Sequence, residues 1–424
     1  MAVSLLIGSF LVLLFLGMPI SFVLGISSLL FLFAADLSLT IIPQVIFAFV
    51  SKFVLLSVPL FIFAAQLMVE TSMGPRIIRF ANSIVGGMKG GLAQVNIGTS
   101  MIFAGVSGAA LADVSSIGTV MYRSMVDEGY DPDYAAGLSA ASAAVGPIIP
   151  PSIPMIVAGS MVEVSVARLF MGGIMPGLMM GVGMGVVAYI LAHLKNHPLS
   201  PFRGFREIFL SLSASFLDLT MPLVVIGGIV FGFFTPTEAS AIAVLYILGI
   251  GGLRREINWA KIKACGISAV RTTGEVLFIA SMAVMFGWAL VYSEVPQHLV
   301  QSAIDSGLSI FWLKFIMILL LIFLGTFLSG LEALLVTLPL FIPVVEAMGL
   351  DVFHMTLVIV MAAMIGTITP PVGLTLYVIS SVSGRTIWAI SRAMMPFLLV
   401  NVLVVFLTAY IPQIATFIPD AVGN

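Results

Sequence analysis

Two stretches 220 residues apart, Gly146-Pro147-Ile148-Ile149-Pro150-Pro151 and Gly366-Thr367-Ile368-Thr369-Pro370-Pro371, each interrupt a long apolar segment in a chain that is otherwise almost continuously hydrophobic. A backbone released from helical hydrogen bonding at membrane depth survives only where it is buried in protein or lines a polar cavity. Paired breaks in corresponding halves of a membrane chain therefore point to a site shared between the halves, of the kind that carries a solute.

The composition leaves no soluble alternative. With 60% hydrophobic residues, 8% charged residues and a mean hydropathy of +1.21 over 424 residues, the chain cannot close around one aqueous core. It reads as an all-α polytopic membrane protein. Met1 to Phe33 carries no Lys or Arg, so the basic leader of a secretory signal is absent and the first apolar run is expected to stay in the protein. The single cysteine, Cys265, excludes an internal disulfide, no Cys/His cluster has metal-ligand spacing, and a net charge of -2 argues against a nucleic-acid partner. The 25 methionines read as packing plasticity.

Measured against the roughly 20 residues that span hydrocarbon, the apolar runs fall in one order twice. In the first half they are 4–16, 19–34, 53–69, a hairpin at about 92–125 punctured at Gly105-Val106-Ser107-Gly108, a broken span at about 134–158, and 168–192. In the second half they are 217–233, 235–252, 273–292, a hairpin at about 309–345, a broken span at about 355–380, and 393–412. The expected organisation is a first repeat over 1–195, a cytoplasmic amphipathic linker over 196–215 and a second repeat over 216–424. Ile102-Phe103-x-Gly105 matches Ile322-Phe323-x-Gly325 at the same offset of 220.

Five full crossings and one re-entrant hairpin per half make the two repeats inverted. Basic residues give an independent orientation, since they concentrate in cytoplasmic loops. If Arg76, Arg79 and Lys89 are inside, so are Lys195, Arg203, Arg206, Arg254, Arg255, Lys261, Lys263, Arg271, Arg385 and Arg392, with Lys52, Arg168 and Lys314 outside. Both termini are then expected in the periplasm.

At each break the first half-helix ends in carbonyls suited to a small hard cation, and the second half-helix begins with free amides suited to an anion. Prolines 147, 150, 151, 370 and 371 mark the breaks, and the hairpin tips Ser107-Gly108 and Ser329-Gly330 bring further oxygens to the same depth. Glycine permits the tight turns there. Asp113 and Glu332 follow the tips, and each reads either as a functional acid or as a local cap. Thr235-Pro236-Thr237-Glu238 reads as a capping box.

The text Phe103-Ala-Gly-Val-Ser-Gly-Ala-Ala-Leu-Ala-Asp113, the run Gly146-Pro-Ile-Ile-Pro-Pro-Ser-Ile-Pro154, Phe234-Thr-Pro-Thr-Glu-Ala239 and Ile368-Thr-Pro-Pro-Val-Gly-Leu374 resemble, in order and over essentially the whole chain, the large membrane subunit of TRAP (tripartite ATP-independent periplasmic) transporters. The resemblance implies an ion-transporter-superfamily fold of elevator type, in which hairpins and broken helices move against a scaffold in the bacterial inner membrane. It also implies sodium-coupled uptake of an organic acid, of sialic acid or C4-dicarboxylate type, with a small four-helix membrane subunit (Q) and a periplasmic substrate-binding protein (P). Sodium is the coupling ion, and no cofactor is implied.

Carried over residue by residue, the resemblance puts one sodium site at Ser107, Gly108, Gly146 and Ile149 and a second at Ser329, Gly330, Gly366 and Thr369. The second hairpin departs from the commoner family wording, with Leu328-Ser329-Gly330 where an acidic residue is often found near the tip. Ser115, Ser116, Ser152, Thr367, Thr375 and Arg123 are the substrate candidates. A stand-alone sodium/carboxylate symporter of the same superfamily would share these features and work without a binding protein, and a passive channel would need no sodium gradient. Gly105-Val106-Ser107-Gly108 also has the form of a serine-protease nucleophile motif, but His193, His197, His298 and His354 all fall in loops or at span ends, away from that serine.

Overall fold

A computed structural model describes residues 2–199, 204–305, 307 and 309–423, excluding the side chains of Val106, Ser107, Ala303 and Ile304. The described residues form helices and connections, with no strand among them. In chain order the helices are α1 (Ala2–Phe15), α2 (Ile20–Ala34), α3 (Ile41–Val50), α4 (Ser57–Val69), α5 (Met73–Val85), α6 (Gly91–Ser107), α7 (Ala110–Asp113), α8 (Thr119–Asp127), α9 (Pro132–Ala143), α10 (Ile153–Val162), α11 (Val166–Leu194), α12 (Phe205–Val230), α13 (Pro236–Leu253), α14 (Trp259–Tyr292), α15 (Val295–Asp305), α16 (Ile310–Phe327), α17 (Gly330–Ala347), α18 (Val352–Gly366), α19 (Leu374–Ser383), α20 (Ile387–Tyr410) and α21 (Gln413–Val422). A one-turn π-helix, Val114–Gly118, joins α7 to α8.

Seven of these helices are long and apolar enough to cross a bilayer, and α3 and α4 form a further bent pair with a 63° angle between them. Their starts are written in the sequence as caps, because the first amides of a helix have no partner within it. Asp131 Oδ1 accepts the Tyr134 amide at 2.8 Å with Pro132 in the first turn, and Asn258 Oδ1 accepts the Lys261 amide at 2.9 Å. The capping box read at Thr235 and Glu238 is present: the Thr235 amide donates to Glu238 Oε2 at 2.8 Å and the Glu238 amide to Thr235 Oγ1 at 3.3 Å.

Several boundaries differ from the apolar runs. α14 begins at Trp259 rather than near 273, and α12 at Phe205, within the linker, of which 200–203 lie outside the described residues. Basic residues ended those runs in hydropathy, yet the helix carries Lys263 and Arg271 with their charged ends exposed and Lys261 with its ammonium donating to the Glu70 and Glu256 carbonyls. α3 and the terminal α21 were not legible as spans because each has only 10 residues.

The helices sort into two packed groups. α2 lies on α14 and α1, and α4 on α13 and α14. The second group holds both hairpins, α6 to α8 and α16 to α17, and both interrupted helices, α9 with α10 and α18 with α19, backed by α11 and α20. α9, α10 and α18 are buried almost along their length, whereas large apolar side chains such as Phe15, Phe231 and Leu253 point outward. That distribution suits a lipid solvent, in which outward apolar side chains carry no penalty.

A buried ion cluster ties α5, α12 and α13 together. Arg76 Nε meets Asp218 Oδ2 at 2.5 Å, Arg254 Nη1 meets Asp218 Oδ1 at 2.7 Å, and Arg76 Nη1 reaches Glu256 Oε1 at 2.6 Å. The Asp218 side chain is wholly buried, so removing it leaves Arg254 without its carboxylate and Arg76 with Glu256 alone. Asp218→Ala is expected to cost about 3 kcal/mol or more, read as a clear fall in the thermal unfolding midpoint of the detergent-solubilised protein. Arg79→Ala, which breaks the exposed Arg79–Glu207 contact, is expected to move the midpoint little.

Candidate functional site

Each hairpin tip sits on the break that follows it in sequence. In the first half α9 ends at Ala143 and the chain is unwound to Ser152, where α10 is capped by the Ser152 hydroxyl accepting the Met155 amide at 3.3 Å. The same hydroxyl donates back to the Pro147 carbonyl at 2.5 Å, closing the break on itself. Gly108 ends α6 with φ of 57°, and a Cβ there would lie 2.6 Å from the Pro151 carbonyl oxygen. The tip thus reaches the unwound backbone only because residue 108 has no side chain.

In the second half α18 ends at Gly366 and α19 begins at Leu374. Break and hairpin are joined directly, since the Gly373 amide donates to the Thr326 carbonyl at 2.9 Å. A Cβ on Gly366 would stand 2.5 Å from Gly325 Cα, so the two helices touch backbone to backbone. Both breaks contain a cis Pro-Pro bond, Pro150-Pro151 and Pro370-Pro371. The prolines lie inside the breaks rather than in the first turn of the next half-helix, where only Pro154 stands.

The two halves interlock. α10 packs against α17 and α18, and α19 packs against α9, α7 and the π-turn. The second half of each interrupted helix therefore lies on the return limb of the opposite hairpin. Break 1 is buried throughout, while Pro371 in break 2 is exposed and its neighbours Thr369, Pro370 and Val372 are half-buried.

Of the residues carried over for the first cation site, Gly108 and Gly146 both lie at the tip: a Cβ on Gly146 would be 3.7 Å from the Ala109 carbonyl carbon. Ile149 belongs to the same break and turns its side chain to α11, where its Cγ1 would lie 2.5 Å from a Cβ on Gly177. The Ser107 side chain lies outside the described residues. Of the second set, a Cβ on Gly330 would fall 2.7 Å from Thr367 Cγ2, and the Thr369 hydroxyl donates to the Ile365 carbonyl at 2.8 Å. Ser329 and Glu332 form a capping box: the Ser329 amide donates to Glu332 Oε2 at 2.8 Å and the Glu332 amide to Ser329 Oγ at 3.3 Å. Glu332 is thus a cap. Asp113 is not: it is fully buried on α7, with no hydrogen bond to either carboxylate oxygen among the described residues.

A cavity of about 460 Å³ opens between α4, α14 and the return limb of the first hairpin. Ser115 and Ser116 line it, together with Gln66, Glu70, Cys265 and Ser268. The other substrate candidates do not face it. Ser152 is engaged as the α10 cap, the Thr367 hydroxyl donates to the Met364 carbonyl at 2.6 Å, and Thr375 is wholly buried. Arg123 is exposed on α8 and lies outside the cavity lining. Gln66, Glu70, Cys265 and Ser268 went unread in the sequence. The available signal was Gln66 and Glu70, an amide and an acid one helical turn apart at the end of an otherwise apolar helix.

This is the architecture of a polytopic carrier. One solved fold it resembles is that of the Alcanivorax borkumensis YdaH transporter, with a TM-score of 0.59 at 13% identity, covering 88% of this chain and 85% of the other. Residues 7–414 match the family described as "Tripartite ATP-independent periplasmic transporter, DctM component". The chain is 35% identical over 414 residues to the sialic acid TRAP transporter large permease protein SiaM of Vibrio cholerae, covering 96% of each. It is 34% identical over 442 residues to the C4-dicarboxylate large permease DctM of the same organism, covering 99% of this chain and 98% of that one. The isethionate permease DctMQ of Oleidesulfovibrio alaskensis is 32% identical, covering 97% of this chain and 65% of the longer relative. The chain belongs to the DctM family. It is a multi-pass large permease subunit of a TRAP transporter, not an enzyme.

The glycine contacts separate packing from ligation. Gly366→Val drives a side chain into the Gly325 backbone and is expected to destabilise the fold, whereas Gly146→Ala meets its nearest atom, the Ala143 carbonyl oxygen, at 3.1 Å. Gly146→Ala is expected to keep a near-native thermal midpoint and Gly366→Val to lower it strongly, measured on both purified variants.

Proposed function

We propose that this permease subunit carries out sodium-coupled secondary uptake of an organic acid across the bacterial inner membrane. The observation that supports the reading most is the seating of each hairpin tip on an unwound, proline-marked backbone, at Gly108 with Pro151 and at Thr326 with Gly373. Such junctions gather carbonyl and hydroxyl oxygens of the kind that hold a hard cation. One sodium site is assigned to Ser107, Gly108, Gly146 and Ile149, and the other to Ser329, Gly330, Gly366 and Thr369. The hairpin group moves elevator-fashion against α1 to α4 and α12 to α14.

The two halves are inverted repeats in this reading. α11 runs from Arg168 toward Lys195, and its counterpart α20 runs from the Arg385 end toward Tyr410. Two sets of basic residues lie at opposite ends of these helices. Lys89 bonds Asn196 just beyond the end of α11, while Lys52 pairs with Glu163 just before its start. α11 has 29 residues and is roughly 43 Å long, so these ends lie on opposite sides of the hydrocarbon. The basic-rich end faces the cytoplasm and both termini face the periplasm.

By the naming of its relatives the permease works with a small membrane subunit, Q, and a periplasmic substrate-binding protein, P. Cargoes named in the relatives include sialic acid and C4-dicarboxylates. Proteoliposomes holding the permease with its membrane subunit are expected to accumulate cargo only with external sodium and the binding protein present. Gly146→Ala is expected to lower that uptake at least tenfold. Accumulation without the binding protein would favour the stand-alone symporter, and sodium-independent flux would overturn the coupling. An alkaline phosphatase fused to the C-terminus is expected to be active, and an inactive fusion would reverse the orientation.

A further inference from the structure

At the end of the molecule opposite the cavity, one side chain fixes the scaffold helices to the hairpin group. Lys52 stands between α3 and α4, in a segment tied to α13 by the Thr237 hydroxyl donating to the Phe53 carbonyl at 3.4 Å. Its ammonium reaches across to the end of α10, donating to the Ser160 carbonyl at 2.8 Å and to Glu163 Oε1 at 3.1 Å. Among the described residues at this end, no other side-chain hydrogen bond joins the two groups. The Ser160 carbonyl belongs to the last turn of α10, where carbonyls lack a partner within the helix and carry the negative end of its dipole. Glu163 is largely exposed, with 82% of its side chain accessible against 32% for Lys52, so the bond to the carbonyl supplies most of the attraction.

α10 continues break 1 from Ser152 and packs on α17 and α18, so holding its end holds the hairpin group. The rest of the contact is between α10 and the apolar run Phe53-Val54-Leu55-Leu56, and apolar burial is not directional. At the far end of α4, which has 13 residues and is roughly 20 Å long, Val69 and Glu70 are exposed at the cavity, as are Ser115 and Ser268. The interface is therefore closed at the Lys52 end and open at the Glu70 end.

We infer that Lys52 is a latch that holds the hairpin group in a cytoplasm-facing position by gripping the end of α10. The inference rests on the transport reading and orientation proposed above, which put the Lys52 end in the periplasm. For the hairpin side of the cavity to be reached from the periplasm, the hairpin group moves along α4. A displacement of a few ångströms carries the Ser160 carbonyl out of hydrogen-bond reach of Lys52. The bond is then made in one position only, and removing it shifts the balance toward the other.

The reporter is Ser115→Cys in a Cys265→Ala background, in the full chain expressed with its membrane subunit. A membrane-impermeant maleimide is applied to the periplasmic face in spheroplasts and to the cytoplasmic face in inside-out vesicles. Labelling is expected to be faster from the cytoplasmic face. Lys52→Met is expected to raise the periplasmic rate about tenfold, and Glu163→Gln to raise it about twofold at most. A periplasmic rate unchanged by Lys52→Met, or faster periplasmic labelling before that change, would overturn the latch. A second variant, Lys52→Cys with Glu163→Cys and Cys265→Ala, is bridged by a short bifunctional methanethiosulfonate. Bridging is expected to abolish sodium-driven uptake and dithiothreitol to restore it, whereas uptake that survives complete bridging sinks the inference. Uptake before bridging tests the transport reading by itself, so an active transporter whose periplasmic labelling ignores Lys52→Met fails the latch alone.

Discussion

Backbone hydrogen bonding inside the bilayer is the constraint that the rest of this structure obeys. An unwound stretch at membrane depth exposes amides and carbonyls that lipid cannot satisfy. Here each break is sealed by the hairpin preceding it, through Gly108 on the Pro151 carbonyl and through the Gly373 amide on the Thr326 carbonyl. The contact at Gly325 and Gly366 is backbone against backbone, so hairpin and interrupted helix form one packed body. The second halves α10 and α19 then cross to the opposite hairpin, which joins the two sets into a single core.

Against that core stands a more regular group of helices, held at one end by charge. Asp218, shared between Arg76 and Arg254, fixes α5 to α12 and α13. The cavity lies between the two groups, with Gln66 and Glu70 on one side and Ser115 and Ser116 on the other. A ligand there touches both a hairpin and the scaffold. That position is what a carrier requires if movement of one group past the other is to change the side from which the ligand is reached.

The sequence made the breaks legible because proline and glycine change backbone geometry locally, whatever surrounds them. The Thr235 and Glu238 capping box was readable for the same reason, as four adjacent residues contain the whole interaction. Glu332 was ambiguous because the acid is equally compatible with a cap and a ligand, and its bonds to Ser329 decide the matter. α14 was cut short in the reading because Lys261, Lys263 and Arg271 lower hydropathy without ending a helix. Thr375 and Ser152 carried hydroxyls near a break, yet which way a side chain faces depends on helix rotation against neighbours distant in sequence.

Taken alone, the sequence determined an all-α membrane chain and the place of both breaks, since apolar run length and proline position act locally. Only the tertiary structure decided that Gln66, Glu70, Cys265 and Ser268 share a cavity with Ser115 and Ser116, and that Asp218 lies between two arginines. Those associations join residues from 36 to about 200 positions apart in the chain. Periodicity gives each helix its apolar faces but not the partner that each face meets, and that choice is made by close packing at glycine contacts and by pairing of buried charge.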